Sequence, residues 1–307
     1  MKTTYYRVAG HTFAFRTPDG DNQDYLPSYA PFICKHQEGE PLLFTLTLDD
    51  TFYPAERGAT IGQFDSGGAD FGVYRLKDGS YQFLINPPGR PYCGLLQTSP
   101  TLSEGIAALR GDESTRAYAA NNCMMILYAF AAADKRTMMF HASVIGHNGK
   151  GFLFLGKSGT GKSTHSQQWL RYIDGSELIN DDNPIVTVSS EGRAIVWGSP
   201  WSGKTPCYRN VEAPVGAFVR IRQEKENHIT RNDTIQAFAS LLPSVSTMKW
   251  DDRVYNSICD SIALLISSVP CYTLGCRPDK EAAEVCRACV EGEENGTPSI
   301  KNPETEA

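Results

Sequence analysis

Residues 152–164 read Phe-Leu-Phe-Leu-Gly-Lys-Ser-Gly-Thr-Gly-Lys-Ser-Thr, an apolar run that breaks at once into the pattern G-x-x-x-x-G-K-[ST]. Four large apolar residues in a row fit a buried strand, and the small residues after them let consecutive backbone N–H groups curl around a phosphate. In such a loop Gly156, Lys157, Ser158, Gly159, Thr160 and Gly161 form the cradle, with Thr164 at its far edge. Lys162 brings a point charge, and the Ser163 hydroxyl has a place on Mg²⁺. The pattern restricts the fold because it needs a strand, a tight loop and a helix whose N-terminal dipole faces the phosphates. Both flanks supply this order. Val144 and Ile145 run into Gly-His-Asn-Gly-Lys-Gly, where Asn148-Gly149 predicts a tight hairpin that returns as the strand 152–155. Residues 164–172 contain no Gly or Pro and set Trp169 and Tyr172 three apart, so a helix is expected to start near Lys162. An accidental Gly/Ser-rich turn is the alternative, and it lacks these flanks.

Downstream, Leu178-Ile179-Asn180-Asp181-Asp182-Asn183 ends a short apolar run in adjacent carboxylates. Asn-Asp-Asp-Asn-Pro is also good turn chemistry. Beside a phosphate loop the other reading gains weight: one carboxylate holds Mg²⁺ directly or through water, and its neighbour accepts the proton of an attacking hydroxyl. His141, in Phe140-His141-Ala142-Ser143, lies fifteen residues before Gly156. A lone His in an apolar strand is more often a core residue. Pairing of its strand with 152–155 would bring it to the loop's end of the sheet.

The series Phe140-His141-Ala142-Ser143, Gly156 to Thr164, then Asn180-Asp181-Asp182 resembles the kinases related to HPr kinase/phosphorylase, which share a nucleotide-binding core with the phosphoenolpyruvate carboxykinases. The resemblance covers roughly residues 115–290. It implies an α/β fold with a P-loop-containing mixed-sheet kinase core, ATP and Mg²⁺ or Mn²⁺ as cofactors, and transfer of the γ-phosphoryl group to a serine-like hydroxyl on a small molecule, peptide or protein. It implies His141 as a metal ligand or acid/base group, Asp181 as the base and Asp182 as the metal ligand. A carboxykinase-like reaction and a non-catalytic nucleotide-binding regulator are the alternatives. The chain departs from the carboxykinases in its short length and in residues 127–137, where they carry a basic substrate segment. It departs from the HPr kinases at Thr164, where they carry an acidic residue.

A third segment, Gly198-Ser-Pro-Trp-Ser-Gly-Lys-Thr-Pro-Cys-Tyr-Arg-Asn, reads as a loop in which Trp201, Lys204 and Arg209 are candidates for acceptor binding. The alternative is a covered Trp and two solvated cations. Residues 1–112 alternate short apolar runs with turns and predict a β-rich N-terminal region whose aromatics, among them Tyr5, Tyr6, Phe13 and Phe15, belong to a strand core. Residues 113–290 form the expected kinase domain, opening on a helix over 113–134, and residues 291–307 read as a disordered acidic tail.

The net charge of −6 and scattered basic residues give no footprint for nucleic acid or an anionic membrane. The longest apolar run, 123–133, is too short to span a bilayer, and the first residues carry no apolar leader, so a cytoplasmic protein is expected. Nine cysteines, an odd number, fit reduced thiols. Cys271, Cys276, Cys286 and Cys289 have spacing open to a zinc site, but they fall in a strand and a helix that would use them as small core residues.

Overall fold

The computed structural model describes residues 1–21, 23–54, 59–66, 69–87, 92–203 and 205–292, a mixed α/β chain with two large sheets and a β-rich N-terminal part. It forms two compact units, Met1–Lys135 with Thr247–Tyr255, and Arg136–Ser246 with the described residues from Asn256 onward. Residues 293–307, read above as a tail, and Lys204 lie outside the described residues. No helix among the described residues is long and apolar enough to cross a membrane.

The first unit is built on strands β1 (Lys2–Val8), β2 (His11–Thr17), β3 (Thr45–Leu48), β4 (Ala59–Ser66), β5 (Ala69–Arg75), β6 (Tyr81–Asn86), β7 (Gly94–Thr98) and β8 (Glu104–Leu109), ordered β1-β2-β3-β8-β7-β6-β5-β4. Tyr6 of β1 and Phe13 and Phe15 of β2 are buried, while the partly buried Tyr5 stacks on His36 with ring centroids 4.5 Å apart. Helix α1 (Glu113–Ala131) starts at Asp112, whose carboxylate accepts from Thr115 N at 2.8 Å. It packs on β7 and β8, so this helix belongs to the first unit rather than opening the second. Cys123, Met124, Leu127 and Phe130 of the long apolar run are buried in it.

The second unit contains β9 (Thr137–Met139), β10 (Ala142–His147), β11 (Lys150–Leu155), α2 (Lys162–Tyr172), β12 (Glu177–Asp182), β13 (Ile185–Val188), β14 (Ala194–Trp197), β15 (Glu212–Gln223), β16 (His228–Arg231) and α3 (Thr234–Leu241). After α4 (Asp252–Ser268), whose first residues fall in the first unit, come β17 (Cys271–Cys276) and α5 (Lys280–Glu291). The sheet runs β12-β10-β11-β15-β14-β13-β9, with β17 beside β15 and β16 beside β17. Asn148 and Gly149, at φ 49° and 72°, make the tight turn between β10 and β11. β11, β15 and β17 are parallel neighbours whose apolar runs are buried, as strands covered on both faces must be.

One face of this sheet carries a cluster of Phe152, Phe154, Val219, Leu274, Trp169 of α2 and Cys286 of α5. Cys276 belongs to it and Cys289 packs against it. The carboxylate of Glu291, the last residue of α5, pairs with Nδ1 of buried His147, so the helix is pinned where the sequence reading begins the tail.

Candidate active site

The site lies at the end of the sheet where β11 finishes. Register fixes what gathers there: Ala142 faces Leu155 on one side and Asp182 on the other, and Ser143 faces Asp181. The hairpin therefore carries His141, one residue before β10, to the start of the loop 156–161. His141 N donates to Ser244 O at 2.7 Å, which holds the backbone there.

Gly156 and Gly161 are required by geometry. Gly156 has φ 154°, and a Cβ on it would lie 2.4 Å from Thr160 Oγ1, which itself donates to Lys157 O at 2.8 Å. Gly161 is the N-cap of α2 in the left-handed region, φ 100° and ψ 19°. The first α-helical bond runs from His165 N to Gly161 O at 2.8 Å, so the N–H groups of Lys162, Ser163 and Thr164 are those a helix start leaves for an outside acceptor. Buried Ser143 and Ser166 hydroxyls, 2.6 Å apart, fasten α2 to β10.

Five candidate residues interlock at this helix start. Lys162 Nζ donates to Gly156 O at 2.9 Å and lies 2.8 Å from His141 Nε2. On its other side His141 Nδ1 is 3.1 Å from Asp182 Oδ1. A charged lysine has only donors, so His141 accepts at Nε2 and offers Nδ1–H to Asp182. Ser163 Oγ donates to Asp181 Oδ1 at 2.8 Å. Burial pushes the Lys162 ammonium down from its ordinary pKa, and the charges of Asp182 and Asp181 oppose that shift.

The two aspartates differ in access. Asp181 is 3 % exposed, whereas the Asp182 side chain is 34 % exposed. Asp182 sits at φ 150°, a conformation rare for a residue with a side chain, and it is held there by a bridge to Ser202 and by Asn183 Nδ2 donating to its Oδ2 at 2.9 Å. Asn180, fully buried, ties the following loop beneath the pair: its Nδ2 reaches Ser199 Oγ and Trp201 O, both at 3.2 Å.

The acceptor-loop candidates are placed differently. Trp201 is 2 % exposed, a core residue with no open ring face. Arg209 donates from Nη2 to Glu177 Oε2 and from Nη1 to Leu178 O, both at 2.7 Å, which anchors it at the start of β12. That is about 13 Å along the strand from Asp181. His165 is a residue the sequence reading passes over, although its i,i+4 relation to Trp169 is legible in the chain. It is 3 % exposed, accepts from Trp169 Nε1 at 3.1 Å, and is pushed by burial down to about pKa 4.

The donor set suits a hard cation. Ser163 Oγ and Asp181 Oδ1 are adjacent oxygens at the start of α2, and Mg²⁺ beside phosphates takes one or two carboxylates and keeps water for the rest. No cluster of three or more His, Cys, Asp or Glu side chains suited to a metal occurs among the described residues. The chain matches no protein-family model and no curated protein.

Proposed function

We propose that this protein is a cytoplasmic phosphotransferase with a P-loop core of the HPr kinase type, moving the γ-phosphoryl group of Mg-ATP to a hydroxyl of a serine-like small molecule, peptide or protein. The observation that carries this reading is the convergence of Lys162, Ser163, Asp181, Asp182 and His141 at the start of α2. Positioning and charge stabilisation supply most phosphoryl-transfer catalysis, and these are what the constellation offers. All nine cysteines are free, in keeping with a reducing compartment.

Loop N–H groups and Lys162 hold the phosphates and offset charge gathering on the transferring group. Lys162 exchanges its bond to His141 for one to a phosphate oxygen. Ser163 and Asp181 would hold Mg²⁺, which when bound neutralises charge on the β- and γ-oxygens. We assign the aspartates in the opposite sense to the family resemblance. Asp181 is buried and bonded to Ser163, which suits the metal side, whereas a base must meet an acceptor arriving from solvent, and the partly exposed Asp182 can. The acceptor proton passes to the Asp182 carboxylate as the acceptor oxygen bonds to the γ-phosphorus and the bond to the β–γ bridging oxygen breaks, releasing ADP. His141 holds Asp182 in place through Nδ1–H.

The reaction is tested by incubating γ-labelled ATP and Mg²⁺ with serine, serine-containing peptides, an HPr-like protein and oxaloacetate. Label is expected on a hydroxyl, and Asp182→Asn should slow its appearance by about 10²–10⁴-fold. Transfer that survives Lys162→Ala and Asp182→Asn, or label that appears only with oxaloacetate, contradicts the proposal.

A further inference from the structure

The sheet of the second unit has two faces at its loop end. Val219 and Ile221 of β15 lie in the apolar cluster with Trp169 of α2 and Cys286 of α5, so Arg220 between them points to the opposite face. Phe218, two residues earlier on that face, stacks on Phe140 with ring centroids 5.4 Å apart. Register extends the row: Arg220 is opposite Leu155, Leu155 is opposite Ala142, and Ala142 is opposite Asp182. Arg220 and Asp182 therefore stand three strand spacings apart in one row, about 14 Å between Cα atoms.

Arg220 differs from a solvated surface cation in two respects. It is only partly exposed, on an inner strand whose preceding residues, Ala217, Phe218 and Val219, are buried. Charged side chains drawn this far into a sheet are usually paired. Among the described residues its guanidinium forms no ion pair and has one hydrogen bond, from Nη1 to Ser240 O at 3.2 Å. A guanidinium has more N–H donors than one carbonyl takes, so the others remain for an outside acceptor. The segment that takes this bond also holds the site. Ser244 Oγ donates to the same Ser240 O at 3.2 Å, and Ser244 O accepts from His141 N at 2.7 Å. The guanidinium and His141 are thus fastened to residues 240–244 at points about one helical turn apart.

We propose that Arg220 binds a carboxylate of the acceptor, so that the preferred substrates are hydroxyl compounds that also carry a carboxylate. This rests on the phosphotransferase reading above and assigns its acceptor a charge. The edge of a guanidinium meets the two oxygens of a carboxylate with parallel N–H···O bonds. An acceptor with its hydroxyl at Asp182 and its carboxylate at Arg220 spans the interval between them less the reach of the two side chains. One residue of extended chain covers about 3.5 Å, so a seryl dipeptide or tripeptide suits that interval.

The test follows label from γ-labelled ATP with Mg²⁺ onto Ser-Gly and Ser-Gly-Gly, each offered to the full chain as the free acid and as the C-terminal amide. Wild type should use the acids with a KM at least about tenfold below that of the amides. Arg220→Gln keeps a donor for Ser240 O and loses the charge. It should raise the KM for the acids at least about tenfold, bring acid and amide together, and leave the KM for ATP unchanged. Arg220→Lys, which keeps the charge and loses the fork, should recover part of the preference. Equal use of acids and amides by wild type, an acid preference that survives in Arg220→Gln, or a rise in the KM for ATP with the acceptor KM unchanged overturns the inference. The first of these outcomes needs no variant to fold, and it contradicts only the role of Arg220. Label on neither peptide acid also overturns the inference, and it contradicts the phosphotransferase reading too where serine and the HPr-like protein stay unlabelled.

Discussion

Acidification should destabilise this protein through His165, by an amount the structure sets. Burial disfavours the imidazolium and brings its pKa to about 4, against 6.5 in an unfolded chain. Between those values the unfolded chain takes up a proton that the folded chain refuses. The contribution is therefore fully present above pH 6.5 and is lost as the pH falls toward 4. A gap of about 2.5 pH units, at about 1.36 kcal/mol per unit, gives about 3 kcal/mol in all, of which about 2 kcal/mol is gone by pH 5. His165→Gln removes the titration and leaves an acceptor for the Trp169 indole. The assay is urea unfolding of both proteins at several pH values between 7 and 4, followed by tryptophan fluorescence. His11, which burial also pushes down, and the hydrogen-bonded carboxylates of Asp21 and Asp279 are common to both and cancel in the difference. The stability advantage of wild type over the variant should shrink by about 2 kcal/mol from pH 7 to pH 5. Parallel stability curves across that interval would refute the reasoning.

Three substitutions address the site. Asp182→Asn should lower kcat by about 10²–10⁴-fold at any Mg²⁺ concentration, because it removes the proposed proton acceptor, and initial-rate measurements across a metal titration check this. Asp181→Asn in the same titration should regain part of its rate at high Mg²⁺, since it weakens a metal contact rather than the base. Gly156→Ala places a Cβ 2.4 Å from Thr160 Oγ1 at a buried position of positive φ, so the loop must shift, and both Mg-ATP affinity and the melting temperature should fall.

What the chain made legible follows from which signals are local. The change from an apolar run to spaced glycines marked the end of β11 and the start of α2, and Asn148-Gly149 marked the turn, because each depends on a few neighbouring dihedrals. Adjacent strands then carried His141 and the aspartates to the loop by register alone. Partners distant in sequence were illegible. Helix α1 is apolar nearly all round, so no stripe told which sheet it covers, and it belongs with β7 and β8. Arg209 looked available for an anion because its acceptors, Glu177 and Leu178, lie 32 and 31 residues upstream. Trp201 looked like a platform because loop composition carries no information on burial. The difference in exposure between Asp181 and Asp182, on which the proposed roles rest, is not revealed by neighbouring residues in sequence.

The central claim is that residues 156–163 bind the phosphates of a nucleotide, and titration of Mg-ATP into wild type and Lys162→Ala tests it most directly. Removing the ammonium deletes a charge-assisted contact of about 1.5–3 kcal/mol, so affinity should fall by at least about tenfold in a variant whose far-ultraviolet circular dichroism shows it folded. Equal affinity in the two proteins, or no binding to wild type, would contradict the account.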